Sequence, residues 1–299
     1  VTDGKLQDRP LAGIAFMIAA FVTVAVGDAL TKAVIVAVPV AQFLVLRSAS
    51  VLILLVPFFM RAGGLAVFRT ERLGLHLLRC LLNGASLLLF YAALRRLELA
   101  TLFAIGFVGP LLMTALSVPI LGERVGPHRW AAIAIGFVGA IVIVDPGTAG
   151  FQPAALIAMC GTALWATSMV LVRKMSATES DASLLAYINT SLLLLGVVGA
   201  PFVWGPVTLD QAGFVLMLAV TLVVGQWLML RAFRLAPIGV VAPFQYTGIV
   251  WATLIGWAFW KEFPAPNVWF GAAILIASGL YVMWRERVRA RQKAATRSA

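Results

Sequence analysis

The sequence is short of charge, of cysteine and of histidine, and each shortage removes a class of function. Only 12% of its 299 residues are Asp, Glu, Lys or Arg, against about 25% in an ordinary soluble domain. The two cysteines, Cys80 and Cys160, both sit in apolar runs. They read as buried thiols acting as small hydrophobes, with no disulfide framework and no metal site. The two histidines, His76 and His128, are far apart in sequence and fall near the ends of apolar runs. No His-Glu-x-x-His, aspartate-rich prenyl-diphosphate site, Gly-x-Ser-x-Gly elbow or Gly-x-Gly-Asp is present. Nor is there a Gly-x4-Gly-Lys-Ser/Thr phosphate loop, so ATP is not expected to drive the chain directly. An integral-membrane enzyme, a passive channel and a scaffold or receptor stand as the competing classes. No cofactor and no metal are expected.

What the chain does have is apolar length. Hydrophobic residues make up 62% of it, and the mean hydropathy is +0.99. Runs without any Asp, Glu, Lys or Arg cover 10–27, 99–122, 146–172, 182–209, 235–260 and 263–284, among others. A helix needs about 20 mostly apolar residues to cross a bilayer, and in lipid the backbone must satisfy its own hydrogen bonds. The fold class expected is therefore an all-α integral membrane protein. Its ten spans are placed near 11–35, 39–60, 74–95, 98–121, 128–145, 152–173, 183–205, 212–232, 238–259 and 266–285. Val1 to Pro10 is polar, and the first apolar run has no clean small-residue cleavage site. The first span is thus expected to be kept as an anchor rather than removed as a signal peptide.

Charge sets the orientation, because Lys and Arg favour cytoplasmic loops. With the N-terminus inside, 17 of the 23 basic residues fall on inner segments, and only Arg95, Arg96 and Lys261 on outer loops. Lys32, Arg47 and Arg79 lie within spans. Both termini are expected in the cytoplasm. The net charge of +11 then needs no nucleic acid, and the basic tail after Trp284 reads as a topology anchor on an anionic leaflet.

The second half repeats the first at an offset of 139. Glu123-x3-Pro127-x2-Trp130 matches Glu262-x3-Pro266-x2-Trp269, Arg95 matches Arg234, Gly109 matches Gly248 and Thr114 matches Thr253. Five spans per half is an odd number, so the second half must enter the membrane from the opposite side. Inverted repeats of this kind mark transporters, with the substrate site near the midplane between the halves. The expected organisation is a cytoplasmic N-terminus over 1–10, a first five-helix repeat over 11–146, a second over 151–285, and a basic tail over 286–299.

These features resemble the drug/metabolite transporter superfamily. The likeness rests on the two five-helix halves, the pairs Gly122-Glu123 and Lys261-Glu262 after the fourth span of each, and Arg47 early in span 2. It rests also on the run Pro110 to Glu123 and on Trp165-Ala166-Thr167-Ser168 leading to Arg173-Lys174. Within the superfamily the chain resembles the ten-helix EamA-type exporters, and most of all the aromatic amino-acid exporters. The resemblance implies two helical bundles around a central cavity and alternating access. It also implies export of amino acids or similar metabolites across a bacterial inner membrane. The second half departs from the pattern, with Lys261 opposite Gly122 and Ile249 opposite Pro110. The partners expected are a small-molecule substrate and membrane lipid, with no oligomer required.

Ionisable residues inside a span cost about 2.5–3.5 kcal/mol on insertion scales and face a cavity or a partner. Asp28 and Lys32 are one turn apart on span 1 and share a face. They form either an internal ion pair or a site for the two poles of a zwitterion. Arg47 in span 2 is either a helix tie or an anion contact. Arg79 in span 3 reads as a snorkelling topology residue. Asn83, Ser86 and Phe90 share a face of span 3. Phe107 lies in span 4, Trp165 and Ser168 in span 6, Gln226 in span 8, and Gln245 and Tyr246 in span 9. Singly, each polar residue is an interhelical hydrogen bond. Together they describe a cavity lined by spans 1, 3, 4, 6, 8 and 9. Pro110 and Pro243 are expected to kink spans 4 and 9.

Overall fold

In a computed structural model of the chain, residues 9–123, 125–146, 151–176 and 178–298 are described. Twelve α-helices and three short 3-10 turns account for nearly all of them, with no strand among the described residues. The helices are α1 (Pro10–Ile35), α2 (Val40–Arg61), α3 (Leu73–Leu94), α4 (Leu99–Gly106), α5 (Val108–Leu121) and α6 (Pro127–Val144) in the first half of the sequence. The second half holds α7 (Pro153–Met175), α8 (Asp181–Gly199), α9 (Leu209–Leu235), α10 (Ile238–Val241), α11 (Gly248–Trp260) and α12 (Pro266–Ser298). The chain is an all-α, multi-pass membrane protein. Lys5, Arg124 and the charged side chains beyond Arg285, which count among the 17 inner basic residues, lie outside the described side chains.

Among the described residues, nine helical stretches are long and apolar enough to cross a bilayer. The tenth expected span, 238–259, is broken into α10, a 3-10 turn over Ala242–Thr247, and α11. Pro243 sits in that turn. It lacks the N–H that an α-helix would direct to residue 239. Span 4 breaks in the same way at Phe107, between α4 and α5. Pro110 lies one turn further on and cannot donate to the carbonyl of Gly106.

The two broken spans end alike. Gly122 and Lys261 both adopt the left-handed conformation, at φ +70° and +58°. The next N–H reaches back six residues, from Glu123 to Ser117 and from Glu262 to Gly256. The N–H of Gly122 reaches the carbonyl of Val118 and that of Lys261 the carbonyl of Trp257, the αL ending of a helix. Glycine takes that conformation without strain, whereas Lys261 takes it against the preference of an L side chain. The Lys-for-Gly exchange therefore leaves the backbone unchanged. The same ending presents a glutamate at each position.

Packing runs across the two halves of the sequence. The most extensive contacts are α1 with α9, α3 with α7, α6 with α12 and α2 with α8. Exchanging the first five spans for the last five maps this set onto itself. By contrast α1, α2 and α3 touch one another only lightly. Small residues set the closest approach, at α6 and α12. A Cβ on Gly139 would stand 2.8 Å from the carbonyl oxygen of Gly271.

Candidate functional site

The loops gather the strongest polar contacts at the two ends of the bundle. At one end lie the loops after α1, α3 and α11. Lys32, in the last turn of α1, does not pair with Asp28. Its Nζ lies 2.6 Å from both carboxylate oxygens of Glu262 and donates to the carbonyl of Leu97 at 3.0 Å. It also sits over the Trp260 ring, 5.3 Å from the centroid. A bidentate carboxylate in the loop, fixed by the helix ending at Lys261, outcompetes an intrahelical carboxylate that must bend back one turn. Glu98 completes this end, accepting from Thr101 at 3.1 Å. Burial pushes its carboxyl above the ordinary value, against the hydrogen bond from Thr101, and Glu262 adds repulsion. Arg95 donates to the carbonyl of Ile35, tying the α3–α4 loop to the end of α1.

At the opposite end, Glu123 meets Arg173 of α7 at 2.6 Å. The side chains of this pair are 34% and 67% exposed, against 26% for Glu262 and 7% for Lys32. A cleft of about 140 Å³ opens here between α5, α6 and α7, lined by Thr114, Ser117, Glu123, Met169 and Arg173 among others.

A third cluster lies at this same end. Glu179, in the α7–α8 link, accepts from Thr70 at 2.6 Å and Ser183 at 3.3 Å. His76 is fully buried, stacks on Tyr187 with ring centroids 4.1 Å apart, and places Nε2 3.2 Å from the Glu179 carboxylate. Burial opposes the charge on Glu179, yet Thr70 and the His76 ring outweigh it and hold the carboxyl below its usual value. No sequence motif announces this cluster, because its members are spread over three elements.

The remaining expected residues divide. Ser86 is buried and donates to Gly161 of α7 at 2.8 Å, and Ser168 donates to the carbonyl of Arg79 at 3.4 Å. Both tie α3 to α7. Arg79 does not snorkel: it is buried and donates to the carbonyl of Leu184 at 2.6 Å. Phe107 and Tyr246, at the breaks of the two interrupted spans, meet edge to face at 4.9 Å. Phe90 lies against Tyr91 with centroids 6.0 Å apart. Asn83 and Gln245 are half-buried, Trp165 is 38% exposed, and Gln226 is exposed. Cys80 is buried as expected, but Cys160 is exposed. It sits on the outward side of α7, where an apolar run places small residues against lipid as readily as inside.

Asp28 and Arg47 are both half-buried and lie within electrostatic reach of each other and of Tyr91. Among the described residues neither makes an ion pair, and Nη1 of Arg47 is buried with no hydrogen-bond partner.

The EamA-like transporter family model matches this chain twice, over residues 11–145 and 152–284. The chain belongs to the EamA-like transporter family. A riboflavin transporter of Rhizobium johnstonii is 30% identical over 243 residues, covering 79% of this chain and 78% of that protein. A pseudopaline exporter of Pseudomonas aeruginosa is 27% identical over 277 residues, covering 91% and 93%. An S-adenosylmethionine uptake transporter of Rickettsia prowazekii is 25% identical over 283 residues, covering 93% and 94%. These relatives carry small metabolites and are not named as aromatic amino-acid exporters, so the narrower likeness gives way to the broader one. The two matched stretches also relate the end pairs. Lys32 and Arg173 each stand 21 residues after the first matched residue, from 11 to 32 and from 152 to 173. Glu123 and Glu262 are the offset-139 mates. Each ion pair therefore joins the span-4 ending of one matched stretch to the first helix of the other.

Proposed function

We propose that this EamA-family protein is a secondary transporter that moves a small organic solute by alternating access between two inverted five-helix halves, 11–146 and 151–285. Both termini lie in the cytoplasm of a bacterial cell, so Glu262 and Lys32 close the outer end and Glu123 and Arg173 the inner end. One observation carries this reading. Two repeat-related ion pairs, at opposite ends, each link one half to the other. Breaking one while the other holds opens the bundle to one side only, which is what alternating access demands.

The solute is an amino acid or a metabolite bearing an amino-acid head group. Asp28 and Arg47, the in-span groups of opposite sign left without an ion pair, support that class. So does the S-adenosylmethionine transporter among the relatives, since that molecule carries such a head group. Export is the direction implied by the resemblance to exporters. The relatives named include an exporter and an uptake transporter, so direction follows the gradient and coupling rather than the fold.

Purified protein in sealed liposomes, loaded with labelled tryptophan, S-adenosylmethionine or riboflavin, tests the reading. It predicts saturable, protein-dependent exchange of at least one of them, with no ion conductance. Unsaturable flux that rises linearly with concentration, together with conductance, would identify a channel instead.

A further inference from the structure

We infer that Asp28, Arg47 and Tyr91 form the polar end of the solute site, and that it takes a dipolar solute, with the cationic group at Asp28 and the anionic group at Arg47. This rests on the transporter reading. The first argument is the contrast in pairing. Lys32 pairs with Glu262 and Arg173 with Glu123, both at 2.6 Å, and Glu179 meets the His76 ring at 3.2 Å. Asp28 and Arg47 lie within neighbouring spans and act on each other electrostatically, and yet they do not close into a pair. Nη1 of Arg47 remains buried without an acceptor. A carboxyl and a guanidinium left without partners at this depth are costly, and a solute with complementary poles offsets that cost for both at once.

The second argument is space. Asp28 is on α1, Arg47 on α2 and Tyr91 on α3, the three helices that touch one another only lightly while packing firmly on α9, α8 and α7. It is across this loosely packed seam that Asp28, Arg47 and Tyr91 act on one another. Tyr91 is buried beside it, with Phe43 edge to face at 5.4 Å and Phe90 at 6.0 Å. The walls therefore combine two charges with aromatic rings, which suits a solute having an apolar ring beyond its charged head. Lys32 lies one turn beyond Asp28 on the same face, so its contact with Glu262 lies over this site on the outer side.

The third argument is asymmetry. At the offset of 139 Asp28 stands opposite Thr167, and counted from the first matched residues, 11 and 152, it stands opposite Met169. The fold places an uncharged residue there in the other half, so it does not require the charge. Asp28 is thus available to serve recognition.

Exchange in liposomes separates this inference from the reading beneath it. The probes are tryptophan and S-adenosylmethionine, which carry a zwitterionic head, and riboflavin, which does not. The wild-type protein is expected to carry a zwitterionic probe in preference to riboflavin. Asp28→Asn and Arg47→Gln are each expected to raise its KM by about tenfold or more, the loss of one charge-assisted contact, with unchanged elution and melting temperature in detergent. Saturable riboflavin exchange that is equal in wild type and both variants overturns the site while leaving the transporter reading intact. A parallel fall of all fluxes together with a lowered melting temperature assigns the two residues a structural role and also overturns it. No saturable exchange of any probe would fail both.

Discussion

The ammonium of Lys32 lies 2.6 Å from both carboxylate oxygens of Glu262, although 230 residues separate them in the chain. One partner is the last turn of the first helix. The other is the residue after the helix ending that closes the second half's interrupted span. Lys32 is 7% exposed, so the pair is poorly screened. Removing one member leaves an uncompensated charge, which costs about 3–5 kcal/mol where burial is deep.

The pair is therefore expected to act as a unit. Lys32→Met and Glu262→Gln should each lower solute exchange severalfold, and the double exchange Lys32→Glu with Glu262→Lys should recover much of it. Exchange rates in liposomes, normalised to reconstituted protein, check this. A double variant no better than the worse single one would show that the two side chains act separately.

Glu179 gives a pH dependence with a definite sign. Its carboxyl is held below the ordinary value of 4.5, so the folded protein favours its charged form. The stabilisation is complete above the unfolded value and is lost as pH falls through the folded one. Glu179→Gln should lower the melting temperature at pH 7, and the difference from wild type should shrink as the pH is taken below 4.5. Thermal unfolding in detergent at a series of pH values measures it. A difference that grows on acidification would contradict the assignment.

Glycine contacts predict where side chains are tolerated. Gly139 faces the Gly271 carbonyl across α6 and α12 at a distance no real Cβ occupies, whereas a Cβ on Gly106 meets nothing within 4 Å. Gly139→Leu should destabilise by about 1–3 kcal/mol, the usual range for overpacking. Gly106→Ala should be close to neutral, since the chain there is already at a helix break. Melting temperatures of the two variants provide the comparison.

The fold was legible in the sequence because lipid leaves few options. Uncharged runs of span length, and an offset that aligned Glu123 with Glu262, carried the helices and the repeat. The two breaks were legible because proline removes an N–H at a known place, although the span at 238–259 does not survive as one helix. The site was legible only in part. Asp28 and Lys32 share a face, and nothing in local spacing reveals that Lys32 belongs to Glu262, because that contact depends on how α1 meets a loop 230 residues away. His76 and Glu179 were missed for the same reason. Ser86, Ser168 and Arg79 looked like cavity or surface groups, and they tie α3 to α7 and α8, since a polar group at a helix interface satisfies itself with whatever carbonyl is nearest.

The central claim is that the bundle opens at one end while it closes at the other, and reciprocal accessibility tests it most directly. Cys80 and Cys160 would be replaced by alanine. Single cysteines would then be placed at Ala29, one turn before Lys32, and at Thr114, in the cleft with Glu123 and Arg173. Labelling by an impermeant maleimide would be timed with and without Glu262→Gln. The account predicts faster labelling at residue 29 and slower labelling at residue 114 when the pair of Lys32 and Glu262 is broken. Labelling that rises at both positions together would contradict it, because a pathway open at both ends is a channel.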